Sequence, residues 1–255
     1  MPPPRWFPYL KRSPLARVRL LCLPHAGGTA SAFRRWSALL PPTVEVWAAQ
    51  PPGRETRFAD PLLHRVEPWV EALLDAFREG LDLPYAVFGH SLGAVIGYQL
   101  IRQVAAAGLP APVHFFASGR EPPDQLRQRV THQLPEEAFV AQVKGLEGTP
   151  PELFAHRELM ELLLPILRAD FETYETYVHR PGAPLACALT ALGGREDHTV
   201  SPAQLEAWGA HSQRFAGAVL FPGGHFFHQA EEAAVTRLIQ ERLTGALSSG
   251  LPLAS

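Results

Sequence analysis

The stretch "FGHSLGAVIGYQL", residues 88 to 100, sets one serine between two glycines just where an apolar run ends and a helical pattern begins. A serine at the start of a helix is ordinarily a cap, its hydroxyl satisfying a free backbone N–H. Here Gly89-His90-Ser91-Leu92-Gly93 also matches G-x-S-x-G. The pattern gains weight from its context: "YAVFGH" (85–90) reads as a buried strand entering the turn, and "LGAVIGYQLIRQVAAAG" (92–108) as the helix leaving it. Strand and helix joined so tightly leave no room for side chains two positions before and after the serine, a demand that Gly89 and Gly93 meet. Gly97 then lets the helix lie close to the sheet. The turn forces the serine into a strained backbone conformation, exposes its hydroxyl and aims the positive end of the helix at it. These features predict a nucleophile at Ser91.

Working outward, five more apolar runs read as strands: 18–24, 44–50, 113–118, 186–192 and 217–223. Like 85–90 they are nearly continuous in apolar residues, as strands buried on both faces of a parallel sheet must be. Helical patterns lie between them. In 66–79, Val66, Trp69, Val70, Leu73, Leu74 and Phe77 recur at three- and four-residue spacing. The alternation predicts an α/β fold with right-handed crossovers and one open sheet within a single domain, 1–255. Almost seventy residues between the fourth and fifth strands break the rhythm with helical patterns alone. The expectation is a helical insertion over 124–182 that forms a lid, with Pro165 kinking or splitting the helix at 156–178.

A serine hydroxyl needs a base, and with this elbow the partners follow in the order serine, acid, histidine. His225 in "FPGGHFF" comes directly after the last strand; His228, one turn on, is the weaker candidate. Asp197 projects from the loop that closes "ALTALGGRED", with Glu196 as its rival; Asp124 and Asp170 fall in the insertion. Two backbone N–H groups are expected to hold an oxyanion: Leu92, after the nucleophile, and Ala26, in the "LPHAGGTASAF" loop after the first strand. That loop is not a phosphate loop, since G-x-x-x-x-G-K-[ST] is absent.

With 255 residues, 46% of them hydrophobic, and a net charge of −2, the chain has material for a sizeable core and no basic excess for nucleic acid. Cys22 and Cys187 lie in apolar runs and read as packed thiols in a reducing compartment. "MPPPRWFPYLKRSPLAR" lacks the apolar core of a signal peptide, and no stretch is long enough to span a bilayer. A cytoplasmic monomer is expected. His225 and His228 are three apart, but no third ligand at convincing spacing points to a metal.

Taken together, "LPHAGG", "GHSLGA", "SGREPP" (118–123), "LLLPILRADF" (162–171), "GGRED" and "PGGHFF" resemble the type II thioesterases of polyketide and nonribosomal peptide assembly lines, members of the α/β-hydrolase superfamily. The resemblance runs from about residue 18 to 243, with the motifs in family order. It implies hydrolysis of aberrant or short acyl groups from the phosphopantetheine arm of acyl or peptidyl carrier proteins, through an acyl-enzyme and without a cofactor of the enzyme's own. Carried over, the nucleophile falls on Ser91, the acid on Asp197, the base on His225 and the lid on 124–182. Leu153, Phe154, Met160 and Phe171 are then expected to line an acyl pocket. Arg120, Arg127, Arg129, Arg157, Arg168 and Arg180 are candidates for steering an acidic carrier. A general carboxylesterase would use the same triad.

Overall fold

In a computed structural model of the protein, residues 5–126, 129–146 and 156–248 are described. Six strands form one sheet: β1 (Val18–Leu23), β2 (Val44–Ala48), β3 (Tyr85–His90), β4 (His114–Ser118), β5 (Leu185–Gly194) and β6 (Ser212–Phe221). Every neighbouring pair is parallel, and the order is β2-β1-β3-β4-β5-β6. The helices are α1 (Trp36–Leu39), α2 (Val66–Phe77), α3 (Leu92–Ala106), α4 (Glu136–Lys144), α5 (Arg157–Glu175), α6 (Pro202–Glu206), α7 (Phe227–Ala230) and α8 (Glu232–Ser248).

Apart from β6 the strands are mostly apolar and buried, because helices cover both faces. Alternate residues of β1 and β3 divide between two cores. Leu21, Leu23, Tyr85 and Val87 join Trp69, Leu73 and Phe77 of α2 and Val95, Ile96 and Ile101 of α3. Leu20, Cys22, Ala86 and Phe88 join Phe33, Trp36 and, at four-residue spacing on α8, Val235, Ile239 and Leu243. Both cysteines are free and buried.

The strand order places the site. From β1 the chain crosses to β2 on one side, then returns to lay β3 on the other side of β1. The crevice at the ends of β1 and β3 is therefore a topological switch point, where loops diverge and a ligand has room. It brings the His25–Gly28 loop beside Ser91.

Two expectations need correction. Of the kink or split expected at Pro165, the split does not occur: α5 runs unbroken from Arg157 to Glu175. Pro165 lies on its exposed face, where water serves the carbonyl that the missing N–H leaves free. The last strand begins at Ser212, not 217, because β6 is the edge of the sheet and its first half, "SQRFA", carries exposed polar side chains. Register shifts against β5 further obscure its pattern.

Candidate active site

Ser91 stands at the N-cap position of α3, yet its side chain makes no capping hydrogen bond. Its backbone is left-handed, φ 54° and ψ −110°, and its N–H donates to the carbonyl of Ser118 at 2.8 Å. A Cβ on Gly89 would lie 2.1 Å from the carbonyl oxygen of Gly93, and one on Gly93 would lie 2.2 Å from that of Leu23. The glycines are therefore steric requirements of the turn. Their absence of side chains lets the chain hold Ser91 in a conformation that costs on the order of 1–3 kcal/mol.

His225 and Asp197 meet across the ends of β5 and β6. His225 Nδ1 lies 2.8 Å from Asp197 Oδ2, and the Asp197 side chain is 1% exposed. With the proton on Nδ1, the imidazole donates to the carboxylate and keeps Nε2 as a base. Burial alone would raise the Asp197 pKa. The hydrogen bonds from His225 and Thr199 outweigh it and hold the carboxyl below its usual range. Thr199, which sequence reasoning missed, donates twice to Asp197 Oδ1: its N–H at 2.8 Å and its Oγ1 at 2.6 Å. The signal was local, since an aspartate commonly accepts from the residue two positions on.

The rivals are engaged elsewhere. Glu196 accepts the N–H of Gly223, Asp124 faces His211 at 2.8 Å, and Asp170 is paired with Arg54. His228 lies in the one-turn helix α7, buried, with its ring centroid 3.9 Å from that of His90. His25, His90 and His228 form an imidazole cluster behind the site, with His90 5.0 Å from His225. Burial first, then the proximity of neighbouring imidazoles and, for His25, of Arg54, lowers the pKa of His25 to about 3 and holds His90 and His228 well below the ordinary value. All three are neutral at pH 7.

Ser91 and His225 line one cavity with Ala26, Leu167, Phe171, Tyr174 and Phe226. Among the described residues, the N–H groups of Ala26 and Leu92 are given to no other protein group, whereas the Gly27 N–H is taken by Asp170 Oδ2 at 2.7 Å. Of the four residues expected to line an acyl pocket, Phe171 is on the cavity wall. Met160 packs instead in a small core with Phe139, Val143 and Leu164. Leu153 and Phe154 lie outside the described residues, as does Arg127. Arg120 and Arg129 line the cavity, while Arg168 is held by the carbonyls of His132 and Leu134. Arg157 is exposed and paired with Glu161. The carbonyl of Arg180 accepts from Arg102. Among the described residues no group of three His, Cys, Asp or Glu side chains is placed to hold a metal ion, and no helix is long and apolar enough to cross a membrane.

The chain matches the family model described as "Thioesterase domain" over residues 18–243. It is 38% identical over 224 residues to the gramicidin S biosynthesis protein GrsT of Aneurinibacillus migulanus, covering 88% of each chain. It is 38% identical over 226 residues to the thioesterase PikA5 of Streptomyces venezuelae, covering 87% of this chain and 79% of the relative. Among solved structures, the type II thioesterase BorB from the borrelidin biosynthetic cluster superposes with a TM-score of 0.83 at 35% identity, covering 94% of this chain and 98% of that one. The sheet and its flanking helices are thus those of the α/β-hydrolase fold. The chain belongs to the thioesterase family, among enzymes that hydrolyse acyl thioesters, as its motifs led one to expect.

Proposed function

We propose that this protein is a stand-alone type II thioesterase that clears short acyl groups from the phosphopantetheine arm of acyl or peptidyl carrier proteins, working as a cytoplasmic monomer. The observation that carries the reading is the pairing of His225 with a buried Asp197 in the cavity where Ser91 is held in a left-handed backbone. His225 Nε2 takes the Ser91 proton as Oγ attacks the thioester carbonyl. The N–H groups of Ala26 and Leu92 receive the oxyanion, each donor contributing roughly 3 kcal/mol to the transition state. Asp197 holds the tautomer and stabilises the imidazolium. The arm leaves as a thiol on protonation by His225, the C–S bond breaking as the acyl-enzyme ester forms. A water that gives its proton to His225 then attacks the ester, releasing the acid and restoring Ser91.

The helical excursion, 124–182, acts as a lid in this reading, because Val143 and Leu146 from its first part and Leu167 and Phe171 of α5 roof the cavity. The space beneath is about 90 Å³, in keeping with a short acyl group. The test is hydrolysis of one propionyl group presented on a carrier protein, as a small thioester and as an oxygen ester, with the wild type and Ser91→Ala. A much higher kcat/KM for the carrier-bound form, lost in Ser91→Ala, is expected. A preference for the free oxygen ester would make the protein a general esterase.

A further inference from the structure

Arg120 sets buried donors in a cavity whose lid side chains, Val143, Leu167 and Phe171, are apolar. It follows β4 directly after Gly119, whose left-handed φ of 59° turns the chain off the sheet. The Arg120 carbonyl accepts the Trp208 Nε1–H at 2.8 Å, which fixes the backbone there. Of the two arginines on the cavity, Arg129 is exposed, whereas the Arg120 side chain is only 13% exposed. Arg120 therefore meets what enters the cavity rather than what docks outside it.

A guanidinium carries five N–H donors, and burial makes an unused donor unfavourable. Two contacts offset its charge. The guanidinium carbon stands 4.5 Å from the centre of the Tyr174 ring, and Nε lies 3.4 Å from Oε2 of the buried Glu121. Neither contact is a hydrogen bond. Nε is buried without a partner, and among the described residues no protein oxygen accepts from the other four N–H groups. The hydroxyl of Tyr174, which α5 brings to the same cavity, likewise has no hydrogen-bond partner among them.

We infer that Arg120 and Tyr174 form a polar subsite for an oxygen on the acyl chain, raising kcat/KM for 3-oxo- and 3-hydroxyacyl groups relative to the saturated group of the same length. The inference rests on the thioesterase reading above and adds the class of acyl group. In a cavity of about 90 Å³ the chain is short. The oxygen is assigned to carbon 3, the one position of a four-carbon group that is neither next to the thioester nor terminal. A neutral oxygen suits the subsite better than a carboxylate. Glu121 already balances the guanidinium, so a carboxylate would bring a second negative charge beside it, whereas a ketone or hydroxyl only accepts the free N–H and O–H groups.

The experiment loads one acyl carrier protein with butyryl, 3-oxobutyryl, 3-hydroxybutyryl or malonyl groups and measures kcat/KM for release of each. The proteins are the wild type, Ser91→Ala, Tyr174→Phe, Arg120→Lys and Arg120→Met/Glu121→Gln, the last leaving neither partner's charge behind. Each rate is divided by that for butyryl and the ratios are compared between proteins, so the intrinsic reactivity of the thioesters cancels. The 3-oxo and 3-hydroxy ratios should fall about fivefold in Tyr174→Phe and tenfold or more in the double variant. Arg120→Lys, which keeps a charged donor, should fall less than the double variant. Circular dichroism identifies a variant that fails to fold, and Tyr174→Phe, which removes a single oxygen atom, tests the subsite independently of the double variant. Wild-type ratios in the folded variants, or a malonyl ratio that alone depends on Arg120, would overturn the inference and leave the thioesterase reading standing. A wild type that releases none of the four groups faster than Ser91→Ala would overturn that reading instead.

Discussion

Arg54 and Asp170 stand 116 residues apart in the chain and face each other as a buried bidentate pair, with N···O distances of 2.6 and 2.9 Å and side-chain exposures of 5% and 1%. Asp170 also accepts the Gly27 N–H, and Arg54 donates to the Gly28 carbonyl at 3.2 Å. One ion pair thus ties α5, the loop after β2 and the loop that carries Ala26.

Removing one partner strands the other charge. Asp170→Ala should therefore destabilise the protein by about 3–5 kcal/mol. The double variant Arg54→Met/Asp170→Leu should lose much less, since two apolar groups leave no charge unpaired. Urea denaturation of the three proteins decides it; a loss below about 1 kcal/mol in Asp170→Ala would show the pair to be dispensable.

The elbow makes a steric prediction. Gly89→Ala would drive a Cβ to within 2.1 Å of a backbone oxygen, which no rotamer can relieve. The loss should exceed about 3 kcal/mol, the range of severe core disruption, or leave the protein insoluble. Gly108, also left-handed at φ 66° but with nothing within 4 Å of a Cβ, should accept alanine at about 1–2 kcal/mol. Similar thermal shifts for both would count against the close approach of β3 and α3.

The imidazole cluster makes stability depend on pH. His25, His90 and His228 bind protons less readily folded than unfolded, because burial disfavours the charged ring. Above pH 6.5 both states are neutral there and nothing is lost. As the pH falls through 6.5 towards the His25 value of about 3, the unfolded chain takes up protons first, so stability drops by up to about 1.4 kcal/mol per pH unit for each group. Asp197 has its own loss only as its folded pKa, below the usual carboxylate range, is passed. His228→Leu should flatten the fall between pH 7 and pH 5; parallel curves from urea melts would contradict the account.

Asp197→Asn removes the charge that stabilises the imidazolium and permits the wrong tautomer, so kcat should fall by about 10⁴. Thr199→Val leaves the backbone N–H on Asp197 in place and removes the hydroxyl, which donates to Asp197 Oδ1 at 2.6 Å and lies 3.0 Å from His225 Nδ1. A loss of about tenfold in kcat is expected, with the carboxyl moving up towards its ordinary range. Steady-state kinetics at neutral pH would show the lower kcat. An Asn variant with near wild-type kcat would remove Asp197 from the reaction.

Much of this protein is written in short windows of its sequence. Steric exclusion at Gly89 and Gly93, the apolar continuity of β1 and β3 and the three- and four-residue spacing of α2 are local properties, legible without a fold. The order Ser91, Asp197, His225 added a topological rule, and the structure brings the last two within hydrogen-bond distance. Only the tertiary structure decided the rest. β6 began before its apolar run because its first half, at the sheet edge, leaves Gln213 and Arg214 exposed, and α5 survived Pro165 because that residue faces solvent. Met160 turned into a core of its own rather than the cavity, and Arg54 found Asp170 across 116 residues. The imidazole cluster drew its members from the loop after β1, the end of β3 and α7. Such partners depend on how the strands are ordered, and charge or ring pairing between distant segments leaves no periodic trace in either one.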